Sequence, residues 1–133
     1  MNQNEALLNP RVIVIQKLYG HHLNKDSEIT FPKHRYKKFI KDVVNGTIER
    51  KELIQDLMDK ELKEDLNDNK TEIILKLMIM AAIYEFMFMH KTPIKVVINE
   101  YLKVADFFVQ ESQKGFLNAI LEKVSKVSRT KNG

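Results

Sequence analysis

"IILKLMIMAAIYEFMFM", residues 73–89, holds only Lys76 and Glu85 as charged residues among its seventeen. A helix laid over it has no continuous polar face. Such a helix sits at the centre of a core or crosses a membrane. The run falls short of the about 20 residues that a span needs, a charge lies near each end, and no second stretch of the kind occurs. A central core helix is therefore preferred, with the rest of the chain expected to surround it.

Working outward, period-3.6 patterns win almost everywhere, and four glycines and three prolines leave few turn signals. Asn9 and Pro10 open "NPRVIVIQKLYGHH", although the β-branched run Val12 to Ile15 fits a buried strand equally well on propensity. From Pro32, the residues Tyr36, Phe39, Ile40, Val43 and Val44 form one helical stripe, with Lys37, Lys38 and Lys41 facing away. A third helix over 47–62 turns Leu53, Ile54, Leu57, Met58 and Leu62 inward, and "LNDNK" at 66–70 breaks it. Thr92 as N-cap and Pro93 at the first helical position open a helix over 93–108. A last one covers 112–127. The spacing thus predicts an all-α fold of about six helices in one domain spanning 1–133, with 1–8 and 128–133 ("SRTKNG") frayed.

The composition fits that picture. Of 133 residues, 44% are apolar and 30% charged, a globular balance that excludes a disordered chain. Cysteine is absent, so disulfides, thiolate metal sites and cysteine nucleophiles are excluded. "MNQNEALLNP" lacks a basic stretch leading into an apolar one, so no secretory signal is expected and a cytoplasmic location is the default. His21 and His22 are neighbours that diverge by about 100° on a helix and cannot chelate one ion as an i, i+4 pair does. They read as a polar helix end. No Gly-rich phosphate loop, serine elbow or H-E-x-x-H spacing occurs. No carrier of catalysis, metal or cofactor is visible, and the chain is not expected to be an enzyme.

Net charge is +4, which permits nucleic-acid binding without requiring it. Residues 49–68 carry eight acids and four bases, a solvated acidic face, whereas 114–133 carry five bases and one acid. "KHRYKKFIK", residues 33–41, interleaves five bases with aromatics. That pattern suits single-stranded RNA, but it also suits solvated lysines beside packed rings. On the helix over 93–108, Ile94, Val97, Ile98, Tyr101 and Ala105 share the core side, and Val96, Glu100, Lys103 and Phe107 share a mixed one. Phe107 and Phe108 diverge, so one of them is left for solvent or a partner.

Three segments resemble the C-terminal half of the NusB transcription antitermination family: "AIYEF" at 82–86, "TPIKVVINEYLKVADFF" at 92–108 and "GFLNAILEKV" at 115–124. The family's usual wording there is Tyr-Glu-Leu, Val-Pro-x-x-Val-Ala-Ile-Asn-Glu and Phe-Val-Asn-Gly-Val-Leu. Asn99-Glu100 matches the family's Asn-Glu, Gln16-Lys17-Leu18-Tyr19 resembles its Gln-Ala-Leu-Tyr, and Gly46 fits a glycine near the end of its second helix. The resemblance implies two packed three-helix halves and a non-catalytic, cofactor-free factor. Such a factor binds boxA-type single-stranded RNA with the small-subunit ribosomal protein NusE and joins an antitermination complex on RNA polymerase.

Carried over residue by residue, the resemblance implies an RNA site of Tyr19, Phe108 and Phe116, with Arg11, Gln16, Lys17 and Lys114 as polar and phosphate contacts. It implies a partner interface at Lys76 and Glu85. The family's arginine-rich N-terminal stretch is thinned to Arg11 and Lys17, for which Lys33 to Lys41 and the basic tail are substitutes. Leu75 and Met80 stand where the family commonly has an acid and an arginine, and Ala119 stands for a glycine. Two other readings remain: a helical scaffold that binds protein alone, and a relative of the N-terminal domain of ribosomal RNA cytosine methyltransferases. The second needs a Gly-rich cofactor loop and a cysteine nucleophile, and the chain has neither.

Overall fold

The computed structural model describes residues 2–66 and 72–129, which form seven helices and no strand. These are α1 (Gln3–Leu8), α2 (Pro10–Leu23), α3 (Lys37–Glu49), α4 (Lys51–Glu61), α5 (Ile73–Phe88), α6 (Ile94–Phe108) and α7 (Glu111–Ser128). The apolar run is α5, and it lies at the centre. It packs against α2, α3, α4, α6 and α7. Ten of its residues are buried, from Leu75 to Phe86. None of the described helices is long and apolar enough to cross a membrane.

Local chemistry explains most boundaries. Asn9 caps α2 by accepting from the backbone N–H groups of Arg11 (2.9 Å) and Val12 (3.4 Å), with Pro10 in the first turn. Val12 to Ile15 are all buried within this helix, so burial among helices overrides their strand propensity.

The sequence misplaces several elements. Gln3–Leu8 form a helix where a frayed end is expected, because Asn2 Oδ1 accepts from Glu5 N–H (2.8 Å) and Ala6 is buried. The helix expected from Pro32 begins at Lys37. His34 Nδ1 accepts from Tyr36 N–H at 2.9 Å, holding the intervening chain out of the helix. Tyr36, expected in the core stripe, precedes the first turn and is exposed, as is Leu53. The break between the second and third helices falls at Arg50, after Gly46 rather than at it. Pro93, not Thr92, occupies the N-cap position of α6, and no side chain caps this end. Of the expected "LNDNK" break, residues 67–70 lie outside the described residues, as do 130–133 of the expected frayed tail.

Candidate nucleic-acid interface

The residues expected to touch RNA fall into three groups. On α2, Gln16 is exposed and Lys17 and Tyr19 are half-buried, with the Tyr19 ring stacked on His22 at a centroid distance of 6.5 Å. Gln16 and Tyr19 are three residues apart and share a side of the helix.

A second group sits where α6 turns into α7. Phe108 and Phe116 are half-buried against the core edge, and Phe108 meets the exposed Phe107 edge to face at 4.9 Å. Gln113 Oε1 accepts from Gln110 N–H (3.2 Å) at the start of α7. Lys114 then reaches back to α6, its Nζ 2.5 Å from Asp106 Oδ1 and 3.9 Å from Glu111 Oε2. The hydrogen bond to Asp106 holds the Lys114 ammonium above the ordinary lysine value. This lysine therefore fixes the corner between α6 and α7, and a phosphate must compete with Asp106 for it. Among the described residues no hydrogen bond, ion pair or ring contact joins this corner to the α2 group.

Arg11 belongs to neither group. The structure corrects its expected role, and that of Glu85, in one stroke. Glu85, expected at a partner interface, is fully buried in the last turn of α5, where a lone carboxylate is strongly disfavoured. Arg11 answers it with two hydrogen bonds, Nε to Oε2 at 3.0 Å and Nη2 to Oε1 at 2.6 Å. Tyr101 on α6 donates its hydroxyl to Oε2 at 2.5 Å. The guanidinium also lies over the rings of Phe39 and Tyr101, at 4.7 and 5.7 Å from their centroids. Burial alone lowers the Arg11 pKa, but the hydrogen bonds and charge of Glu85 hold it above the ordinary arginine value. A side chain so engaged ties α2 to α5, and a phosphate must compete with Glu85 for it. The sequence signals the need but not the partner: a carboxylate in a nearly all-apolar helix calls for a buried counter-group.

Lys76 is half-buried and lines a cavity among α2, α4 and α5. The Asn99-Glu100 pair points outward, with Glu100 Oε1 3.6 Å from Lys103 Nζ on the next turn. From the cluster at 33–41, Lys33, Arg35, Lys37, Lys38 and Lys41 are all exposed. Only Lys38 of these forms an ion pair among the described residues, with Asp42 at 2.7 Å. Phe39 of the same stretch is turned inward onto Arg11.

The model of the NusB family matches residues 8–126 of this chain. The chain belongs to the NusB family. That family is one of non-enzymatic transcription antitermination factors. Among its relatives, the transcription antitermination protein NusB of Bradyrhizobium diazoefficiens is 31% identical over 91 residues, covering 68% of this chain and 55% of that protein. NusB of Rickettsia typhi is 31% identical over 103 residues, covering 77% and 64%. The chain thus spans little more than half the length of the curated relatives it matches. The solved structure of T. maritima NusB superposes with a TM-score of 0.78 at 24% identity, covering 92% of each chain, and shares the fold.

Proposed function

We propose that this NusB-family protein is an RNA-binding transcription antitermination factor of the cytoplasm. In this reading it binds boxA-type single-stranded RNA together with the ribosomal protein NusE and acts within an antitermination complex on RNA polymerase, above all in ribosomal RNA transcription. The observation that carries the reading is the placement of Tyr19, Phe108 and Phe116. All three stand at the core edge, half-buried, rather than inside it. A ring held on one side by the fold and open on the other is suited to stack on an unpaired base.

With Arg11 committed to Glu85 and Lys114 to Asp106, Lys17 and the exposed bases of residues 33–41 are the better sources of phosphate contacts. α3, which carries most of that cluster, packs directly against α2, which carries Tyr19. Gln16 adds a hydrogen-bonding group one turn from Tyr19. Lys76 remains the candidate for a contact with NusE, whereas Glu85 reaches no surface.

The test is titration of a labelled boxA-type RNA into the protein and into Phe116→Ala, with and without NusE, at two salt concentrations. Stacking is worth about 1–3 kcal/mol per base, so the substitution should weaken binding by about 5- to 150-fold while the fold persists. Binding should also fall steeply with salt as counterions are released. Absence of RNA binding in every combination would replace this reading with the protein-only scaffold.

A further inference from the structure

Beyond the three aromatics, the end of α2, the α3–α4 junction and the facing ends of α4 and α5 enclose a cavity of about 490 Å³. That size is typical of small-molecule sites. None of Tyr19, Phe108 and Phe116 lines it.

Its lining is of two kinds. Leu62, Leu77 and Met80 are buried and make an apolar wall. Lys25, Lys51, Lys63 and Lys76 also line it, against the carboxylate of Asp59 alone among the described residues. Lys25 and Lys51 form no ion pair among the described residues. They stand close enough that the charge of Lys25, with some burial, lowers the pKa of Lys51. Two like charges brought together at a cavity mouth favour an anion between them.

Two residues of the lining also carry an unmatched polar atom, each covered from solvent. Thr47 is 2% exposed, and its Oγ1 has no hydrogen-bond partner among the described residues; the same holds for the buried Nδ1 of His21. Buried polar atoms are nearly always paired, and those left over often mark the place of a ligand. His21 and Lys25 lie four residues apart at the end of α2, and Thr47 and Lys51 four apart across the α3–α4 junction. The unmatched polar atoms and the unmatched charges therefore come from the same two corners of the cavity.

We propose that this cavity binds a small organic anion, a phosphate or carboxylate head on an apolar body. Lys25 and Lys51 hold the head, and Leu62, Leu77 and Met80 cover the body. The repulsion between the two lysines is relieved when the head sits between them.

The experiment titrates the full chain with 1-anilinonaphthalene-8-sulfonate, a sulfonate on an aromatic body, and with uncharged N-phenyl-1-naphthylamine, following fluorescence and Tm. Saturable binding of one sulfonate probe per chain that raises Tm is expected, with the neutral probe binding far more weakly. Lys51→Gln and Lys25→Gln should each weaken the sulfonate probe about tenfold, leaving the far-UV circular dichroism of the free protein unchanged. Both lysines are exposed, so neither substitution disturbs the core. Equal binding of both probes, or affinity unmoved by the lysine variants, overturns the proposal. Binding of an acidic amphipathic peptide where the sulfonate probe fails overturns it in favour of a protein-docking groove.

Discussion

Arg11 Nη2 lies 2.6 Å from Glu85 Oε1 across the contact between α2 and α5. With Tyr101 donating to the same carboxylate from α6, one buried anion joins α2 to the consecutive helices α5 and α6. Each partner constrains the others. The carboxylate fixes the rotation of α5, the bidentate guanidinium fixes α2 against it, and the phenol fixes the depth of α6. Apolar surfaces can slide by a residue at modest cost, whereas this junction has one satisfied arrangement.

Removing one member should therefore cost far more than removing all. Glu85→Ala leaves the Arg11 charge buried and unmatched, and is expected to lower stability by about 3–5 kcal/mol. The combination Arg11→Met, Glu85→Leu and Tyr101→Phe should lose much less, since no polar group is left without a partner. Urea unfolding of the single and combined variants measures the difference. If Arg11 serves the fold alone, the folded triple variant also keeps its RNA affinity. A large loss of affinity there would return Arg11 to the RNA site.

Tyr101 gives the junction a pH dependence. Burial, and after it the Glu85 carboxylate, raises the phenol pKa well above the ordinary tyrosine value. The folded chain then keeps this proton to higher pH than the unfolded chain does. Its contribution is complete below about pH 10 and declines as pH rises from there toward the folded value. Tyr101→Phe should cost about 1.5–3 kcal/mol at neutral pH, the worth of a hydrogen bond to a charged group. The variant should also lose less stability than the wild type between pH 9 and 11. Urea midpoints taken across that range test both statements.

The architecture was legible where the hydrophobic pattern was unambiguous. Residues 73–89 read as a central helix because no other arrangement buries them, and the family resemblance supplied the order of the rest. Side-chain devices were not legible. Nothing in the periodicity of residues 32–36 shows that His34 holds Tyr36 outside α3, since that effect depends on a ring nitrogen meeting one backbone N–H. Among the expected RNA-site residues, the aromatics kept open edges. Arg11 and Lys114 did not remain free, because each met a carboxylate from another helix or turn that a linear reading does not bring near.

Gly46 is required by contact rather than by backbone conformation. The Tyr84 ring of α5 packs so closely against it that a Cβ at this position would overlap the ring. Gly46→Ala must push Tyr84 out of its contact, at about 1–3 kcal/mol, against a gain of about 1 kcal/mol in helix propensity. A net loss of about 1 kcal/mol is expected. With Tyr84→Ala already in place the overlap is gone, and the same glycine substitution should become stabilising by about 1 kcal/mol. Thermal unfolding of the four members of this cycle reads the change of sign directly.

Arg129 lies just beyond α7, in the stretch expected to fray, yet its guanidinium closes the far end of α5. Nε donates to Phe86 O at 2.8 Å and Nη2 to Glu85 O and Met89 O at 2.9 and 3.2 Å, while Nη1 reaches Thr92 O at 2.5 Å. The last carbonyls of a helix lack intrahelical donors and carry the negative end of its dipole, so a cation there answers both needs. The planar fork meets four oxygens at once, and an ammonium on a flexible stem has no equivalent reach. Arg129→Ala should therefore lower stability by about 1–3 kcal/mol, with Arg129→Lys recovering only a minor part. A chain ending after Arg129 should be as stable as the full one, and a chain ending after Ser128 should match Arg129→Ala. Amide hydrogen exchange adds a local readout, because loss of the cap should speed exchange at Met89 and Thr92 before it affects the middle of α5. Equal stability of the two truncated chains would show that the α5 terminus is held by something other than Arg129.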